Sequence, residues 1–214
     1  MAKSLGKIFW KKLRSRDSIA LVVIDMQDAF VSPTGAISVP NGEKTARDVS
    51  RAVAVARAAG IAVIWTRVSV SKWVHAPYRE LFPLHFDGNH AKTLDPSSPD
   101  FELTPRLRKL VREEDIIIDK FAYSAFSNPK FPRQLKKRGI THLLFCGLTT
   151  NVCIESTLRD AFQRNFYCAL LTDASGTFSS ALQSFSEEVI AYMFGWLTTI
   201  PEAKRQLTRI RKLK

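Results

Sequence analysis

An α/β fold, a three-layer α/β/α sandwich around a mostly parallel, doubly wound sheet, is predicted by three features of the 214-residue chain. Five short apolar runs recur along it, each of strand length. Segments with apolar residues at helical spacing stand between them. The runs are continuously apolar, as in strands buried on both faces, and strands alternating with helices build parallel sheets covered on both sides.

The elements follow in order. Residues 20–25 (ALVVID) are an apolar run ending in an acid and read as the first strand. Pro33, Gly35, Pro40 and Gly42 punctuate a loop. Residues 43–59 are rich in Ala, Val and Arg at helical spacing, and Gly60 stops them. Residues 61–66 (IAVIWT) form a second buried strand. Residues 69–103 contain Pro77, Pro83, Gly88, Pro96 and Pro99 and read as a long irregular segment, of the kind that covers a site. A short helix is expected over 104–111, a third strand over 115–119, and a helix over 128–138 ended by Gly139. Residues 142–146 give a fourth strand, 154–163 a helix, 166–171 a fifth strand and 179–194 a last helix. No internal repeat and no low-complexity segment interrupts this order.

The length fits one domain with a single core. The net charge of +12 suggests nucleic acid until it is placed. The first 16 residues carry +6 and the last 14 carry +5, which leaves the body at +1. Two basic ends on a neutral body are not a basic groove, so no specific nucleic acid is expected. The organisation expected is a basic arm over 1–17, one folded domain over 18–200 and a basic tail over 201–214. Leu5, Ile8, Phe9 and Trp10 among lysines fit a frayed or subunit-packing arm better than a helix lying on an acidic membrane. No run approaches the ~20 apolar residues of a membrane span, and the N-terminus lacks the pattern of a secretory signal. Cys146, Cys153 and Cys168 form no Cys-x-x-Cys pair, which argues against a disulfide framework and for a reducing cytoplasm.

In open parallel sheets ligands bind beyond the carboxyl ends of the strands. Asp25 closes the first strand, Lys120 follows the third and Cys153 follows the fourth. Cys153 sits where a strand turns into a helix, a place whose N–H groups and dipole favour a thiolate. Together the three fit nucleophilic catalysis: Asp25 takes the thiol proton and returns it to a leaving nitrogen, and Lys120 balances the charges. Backbone N–H groups near Thr149 and Cys153 are placed to receive an oxyanion. Each residue has a plainer reading: a turn acid, a solvated lysine, a core thiol. Cys146 and Cys168 lie within apolar strands and read as core.

Residues 21–30 (LVVIDMQDAF), 119–126 (DKFAYSAF), 146–161 (CGLTTNVCIESTLRDA), 171–174 (LTDA) and 194–196 (FGW) resemble, in this order, the isochorismatase-like cysteine hydrolases. The resemblance runs from about residue 18 to about residue 200. It implies a triad of Asp25, Lys120 and Cys153. It also implies a cis peptide between Leu148 and Thr149 that turns the Thr149 N–H toward the oxyanion, beside the Cys153 N–H. Oligomers, dimers or tetramers, are common in that superfamily, so a homo-oligomer is expected.

The resemblance also bears on substrate. Isochorismatases proper lack the cysteine, so Cys153 disfavours their reaction. Nicotinamidases carry an Asp-x-His metal motif after the second strand, and residues 66–75 (TRVSVSKWVH) have none. His75, His85, His90 and His142 show no ligand spacing, so neither metal nor cofactor is expected. The run around Cys153 and Lys120-x-x-Tyr123 look most like ureidoacrylate amidohydrolases and biuret hydrolases. The function implied is hydrolysis of a C–N bond in a small linear amide or ureide through a thioester. The alternatives are a nicotinamidase-like or other small-amide hydrolase, or a non-catalytic relative with basic docking tails. Tyr123 is expected to bond substrate or to pack its loop. Gln27 and Phe30 are expected to line the pocket or the core. Arg67, where ureidoacrylate hydrolases differ, is expected to clamp a carboxylate or to stand as a surface charge. Trp73 and Tyr78 are candidates to face the ligand. Glu155 and Arg159, one turn apart, form a structural pair.

Overall fold

A computed structural model of the chain describes residues 8–69, 77, 80, 81 and 93–211. Six strands form one sheet: β1 (Ile19–Ile24), β2 (Ala62–Val68), β3 (Ile116–Lys120), β4 (His142–Leu148), β5 (Tyr167–Gly176) and β6 (Trp196–Thr198). Their order is β3-β2-β1-β4-β5-β6, and every neighbouring pair is parallel. The chain winds one way from β1 through β3 and the other way from β4 through β6. The reversal falls between β1 and β4, where such sheets open a crevice.

Alternation along β1 sets the layers. Ile19, Leu21 and Val23 face one core, and Ala20, Val22 and Ile24 face the other. The first core is covered by α1 (Gly42–Ala59) through Val49, Val53 and Ala56. Gly60, at φ 69°, ends α1: its N–H reaches Ala56 O and Arg57 O, a turn only glycine adopts without strain. The second core is covered by α2 (Lys130–Lys137) through Phe131 and Leu135, and by α3 (Glu155–Gln163) through Leu158 and Ala161.

The described parts of both expected arms are packed on the domain. Residues 8–12 are helical, and Phe9, Trp10 and Leu13 are buried in the first core. The Phe9 ring meets His142 edge-on at 5.1 Å, and His142 stacks on Tyr167 at 4.6 Å. Burial pushes the His142 imidazole down to about 4, partly offset by a hydrogen bond to the Phe9 backbone. At the other end, the expected tail is α5 (Ile200–Arg211), whose Ala203 and Leu207 are buried beside α1. Ile200, Ala203, Leu207 and Ile210 form an apolar stripe at helical spacing. The helix expected over 179–194 is shorter than read: α4 (Ser180–Val189) passes into one π-helical turn, Ile190–Phe194. The three-residue β6 was too short to carry a pattern. Among the described residues no helix is long and apolar enough to cross a membrane.

At the switch point the ends of β1 and β4 nearly touch. Gly147 has φ 114°, and a Cβ there would lie 2.1 Å from Ile24 O. Only a residue without a side chain lets these two strand ends approach so closely.

Candidate active site

Three residues read from strand ends meet here. Asp25 follows β1 at φ 46°, a left-handed backbone tolerated best by glycine, Asn and Asp. Thr66 of β2 holds it. The Asp25 N–H points to Thr66 O and Oγ1, both at 3.2 Å, and Thr66 Oγ1 donates to Asp25 Oδ1 at 2.6 Å. Lys120, the last residue of β3, is wholly buried and spans the end of β2. Its Nζ lies 2.8 Å from Asp25 Oδ2 and 3.4 Å from Cys153 Sγ, and donates to Ala122 O at 3.1 Å.

Cys153 lies in the π-helical turn Thr150–Ile154, between β4 and α3. Such turns recur at functional positions because they push a side chain out of helical phase. Its own carbonyl accepts from Thr157 Oγ1 at 2.7 Å. Thr150 Oγ1 donates to Gly176 O at 3.1 Å, and Thr177 Oγ1 donates to Asn151 Oδ1, so the end of β5 braces the turn from its other side. The Leu148–Thr149 peptide leading into the turn is cis.

The electrostatics correct one expectation. A helix start was expected to favour a thiolate. Instead burial pushes the Cys153 thiol up to about 12, with Lys120 opposing and Asp25 adding to the rise. Burial also pulls the Lys120 ammonium down, but the Asp25 carboxylate and the Cys153 sulfur beside it outweigh that and leave lysine above its usual range. The resting arrangement at neutral pH is therefore an ion pair beside a neutral thiol, so any attack by sulfur needs a base within reach. Cys146 and Cys168 are raised further by burial alone or chiefly by burial.

This has a measurable consequence. Cys153 is 7% exposed, whereas Cys146 and Cys168 have no exposure at all. Alkylation by iodoacetamide, followed by mass spectrometry, is expected to reach Cys153 first. Its rate should still climb between about pH 9 and 11, where an ordinary thiol near 8.5 has already levelled off. A plateau below pH 8 would overturn the neutral-thiol assignment.

The expected substrate contacts are placed differently. Gln27 is fully buried and serves the backbone: Nε2 donates to Val68 O at 3.1 Å and Phe101 O at 2.9 Å, and Oε1 accepts from Val68 N at 2.7 Å. It joins the first strand's exit to the end of β2 and to residues 101–103. Phe30 is buried in the first core. Arg67, read as a possible clamp for a ligand carboxylate, is committed to two of the chain's own. Nε and Nη2 reach Asp119 at 2.7 and 3.1 Å, and Nη1 reaches both oxygens of Glu102 at 2.8 and 2.9 Å. Tyr123 is half-buried and packs against both cores. Arg159 pairs with Glu155 Oε1 at 2.6 Å. Trp73, Tyr78, His75, His85 and His90 lie outside the described residues, as does most of the 69–103 segment. Its last part is anchored by Leu94, Phe101 and Leu103, all buried. Among the described residues no three His, Cys, Asp or Glu side chains gather as a metal site.

Thr66 was missed as a site residue. Its signal was present: a lone hydroxyl closing the apolar run 61–66, in a strand beside the one that carries Asp25. Asn151 and Thr177, 26 positions apart, gave no such signal.

Comparison with known proteins follows the same lines. Residues 19–202 match the Isochorismatase domain. The ureidoacrylate amidohydrolase RutB of Variovorax paradoxus (strain S110) is 33% identical over 214 residues, spanning 90% of this chain and 82% of that protein. The protein of the same name from Enterobacter sp. (strain 638) is 30% identical over 217 residues, spanning 86% of each. The crystal structure of a cysteine hydrolase from Pseudomonas syringae pv. phaseolicola 1448A superposes with a TM-score of 0.82 at 31% identity, covering 92% of this chain and 95% of that one.

Proposed function

The chain belongs to the isochorismatase family, and on that premise we propose that it is a cysteine-dependent amidohydrolase that cleaves a C–N bond of a small linear ureide or amide. One observation carries the reading: a single buried ammonium, Lys120 Nζ, touches both Asp25 Oδ2 and Cys153 Sγ. The relatives named ureidoacrylate amidohydrolases support the ureide class. The committed guanidinium of Arg67 supports a class wider than ureidoacrylate itself, because it leaves that cation unable to clamp a substrate carboxylate.

The steps follow from the proton inventory. Cys153 Sγ forms a bond to the substrate carbonyl carbon while Asp25 takes the thiol proton. This avoids a free thiolate in a site that disfavours one. The carbonyl π pair moves to oxygen, and the N–H groups of Thr149 and Cys153 receive the oxyanion. Asp25 then gives its proton to the leaving nitrogen, the C–N bond breaks, and a thioester remains. Water, losing a proton to Asp25, attacks the thioester. The C–S bond breaks, and sulfur recovers the proton. Lys120 stays charged throughout and offsets whichever partner is anionic. No metal or cofactor takes part in these steps. The three free cysteines suit a reducing cytoplasm, and the working form is a homo-oligomer.

Ammonia release across ureidoacrylate, biuret, N-carbamoyl amino acids, nicotinamide and maleamate tests the substrate class. Turnover of the ureides is expected to exceed that of nicotinamide by about 100-fold or more. Acid quenching during turnover should trap an acyl mass on the Cys153 peptide. Turnover with no adduct under any quench, or a preference for nicotinamide, would sink the reading.

Thr66 has a positioning part in this scheme, since its hydroxyl fixes Asp25 Oδ1. Thr66→Val keeps the shape and removes the donor. It should lower kcat by about 10-fold to 100-fold and leave KM nearly unchanged, because Asp25 loses the donor that fixes its carboxylate. Thr66→Ser should restore kcat. A rise in KM with kcat unchanged would mean that Thr66 only packs.

A further inference from the structure

The outer face of α4 leaves large apolar side chains exposed. Ser186 is the only buried residue of that helix. Leu182 is 40% exposed and Phe185 65%, and the π-helical turn that continues α4 adds Tyr192 at 83% and Met193 at 56%. Positions 182, 185, 189, 192 and 193 recur near helical spacing, so they make one stripe. Phe162 of α3 extends it sideways, 43% exposed, its ring 5.7 Å from that of Phe194.

The size of this face is that of an interface. With ~150–250 Å² for a whole aromatic side chain, the five exposed residues leave on the order of 500 Å² of apolar surface in water. That is near the upper end of what a monomer leaves bare, roughly 300–600 Å². It also matches the apolar share, about 65% of ~800 Å², of one side of a standard homodimer interface.

The charge pattern selects the occupant. Residues 165–203 contain no Lys or Arg, in a chain that has 32 of them and a net charge of +12. Most of that charge sits at the two ends of the sequence, so two copies meet with least electrostatic cost through α4, whose neighbour Arg159 is already paired with Glu155 and stacked over Phe194. A helix made to lie on an acidic bilayer needs the opposite arrangement, Lys and Arg flanking its apolar stripe. Glu187 stays within its own helix, accepting from Gln183 Nε2 at 2.7 Å. We infer that the α4 stripe is the surface through which two copies of this chain associate, stripe against stripe about a two-fold axis. It goes beyond the expectation of an oligomer by naming its surface. The residues just before α4 brace the Cys153 turn through Thr177 and Asn151, so the association surface and that turn share a wall.

Sedimentation velocity of the full chain over about 1 to 50 µM decides this by mass action. The wild type should sediment at 48 kDa or a higher even multiple of its 24.1 kDa mass. Phe185→Asp with Tyr192→Asp should fall to a single-chain mass, with its circular dichroism unchanged and its melting temperature shifted only by the lost association. Tyr192→Ser alone, at the most exposed position, should weaken the dimer at least about 10-fold without any folding cost. A wild type of single-chain mass across the range, or a double variant that keeps the wild-type mass, overturns the inference. So does a single-chain wild type that pellets with phosphatidylserine vesicles through this stripe. The readout is mass without substrate, so it stands or falls apart from the hydrolase reading.

Discussion

Replacing Cys153 with alanine is expected to lower turnover of every substrate by about 10,000-fold or more, a barrier increase of about 5.5 kcal/mol. The fold should survive, because the change removes one sulfur from a position that keeps 7% of its surface exposed. Cys153→Ser is not expected to rescue activity. A hydroxyl is a weaker acid than a thiol that burial has already pushed up to about 12, and a carboxylate is too weak a base to activate it unaided. Cys146→Ala and Cys168→Ala supply the contrast. Each should retain turnover and lose about 1 kcal/mol of stability, since both thiols fill core space and give only weak S–H bonds to backbone carbonyls. Steady-state ammonia release and thermal melts on the four variants check this. Turnover by Cys153→Ala within about tenfold of wild type would end the covalent scheme.

The position of Cys153, the proposed nucleophile, was legible because chemistry at a sheet rim leaves a simple trace. A polar residue ends an otherwise apolar run, and parallel topology brings successive run ends to one edge. Asp25 and Lys120 were found this way. What the rule lacks is depth. It places both residues at the rim but does not say that each is almost wholly buried, and burial reversed the expected ionisation of Cys153. Arg67 and Gln27 show the same gap. Both lie close to the site in sequence and in space, yet their polar atoms are taken up by partners 35 or more positions away, Asp119 and Glu102 for one, Phe101 and Val68 for the other. Such long-range pairing has no local signature. The ends of the chain were misread for another reason. Clustered Lys and Arg masked the stripe of Ile200, Ala203, Leu207 and Ile210, and a basic helix was taken for a basic tail. Long side chains keep their charges in water while the opposite face packs.

Lys120→Met separates what the ion pair does for the fold from what it does for the reaction. Methionine fills most of the lysine volume, so little cavity forms. The charge is lost, however, and Asp25 is left buried without its counter-ion. Breaking one side of a buried pair costs about 3 to 5 kcal/mol, far more than an exposed pair would. The variant should therefore melt well below wild type and, in the mechanism proposed, lose turnover as fully as Cys153→Ala. A second change tests the cause. Asp25→Asn in the Lys120→Met background removes the stranded charge. It also keeps a residue type that tolerates φ 46° and can still accept from Thr66. Most of the lost stability should return, short of the contribution of the Lys120 bond to Ala122 O. Turnover should not return, because the doubly neutral site has no base to take the Cys153 proton. Chemical denaturation and single-turnover assays on the three proteins give both quantities. If Lys120→Met proves nearly as stable as wild type, the ion pair is not what holds Asp25. If the double variant turns over, Asp25 is not the base, and the proton must leave Cys153 by another route.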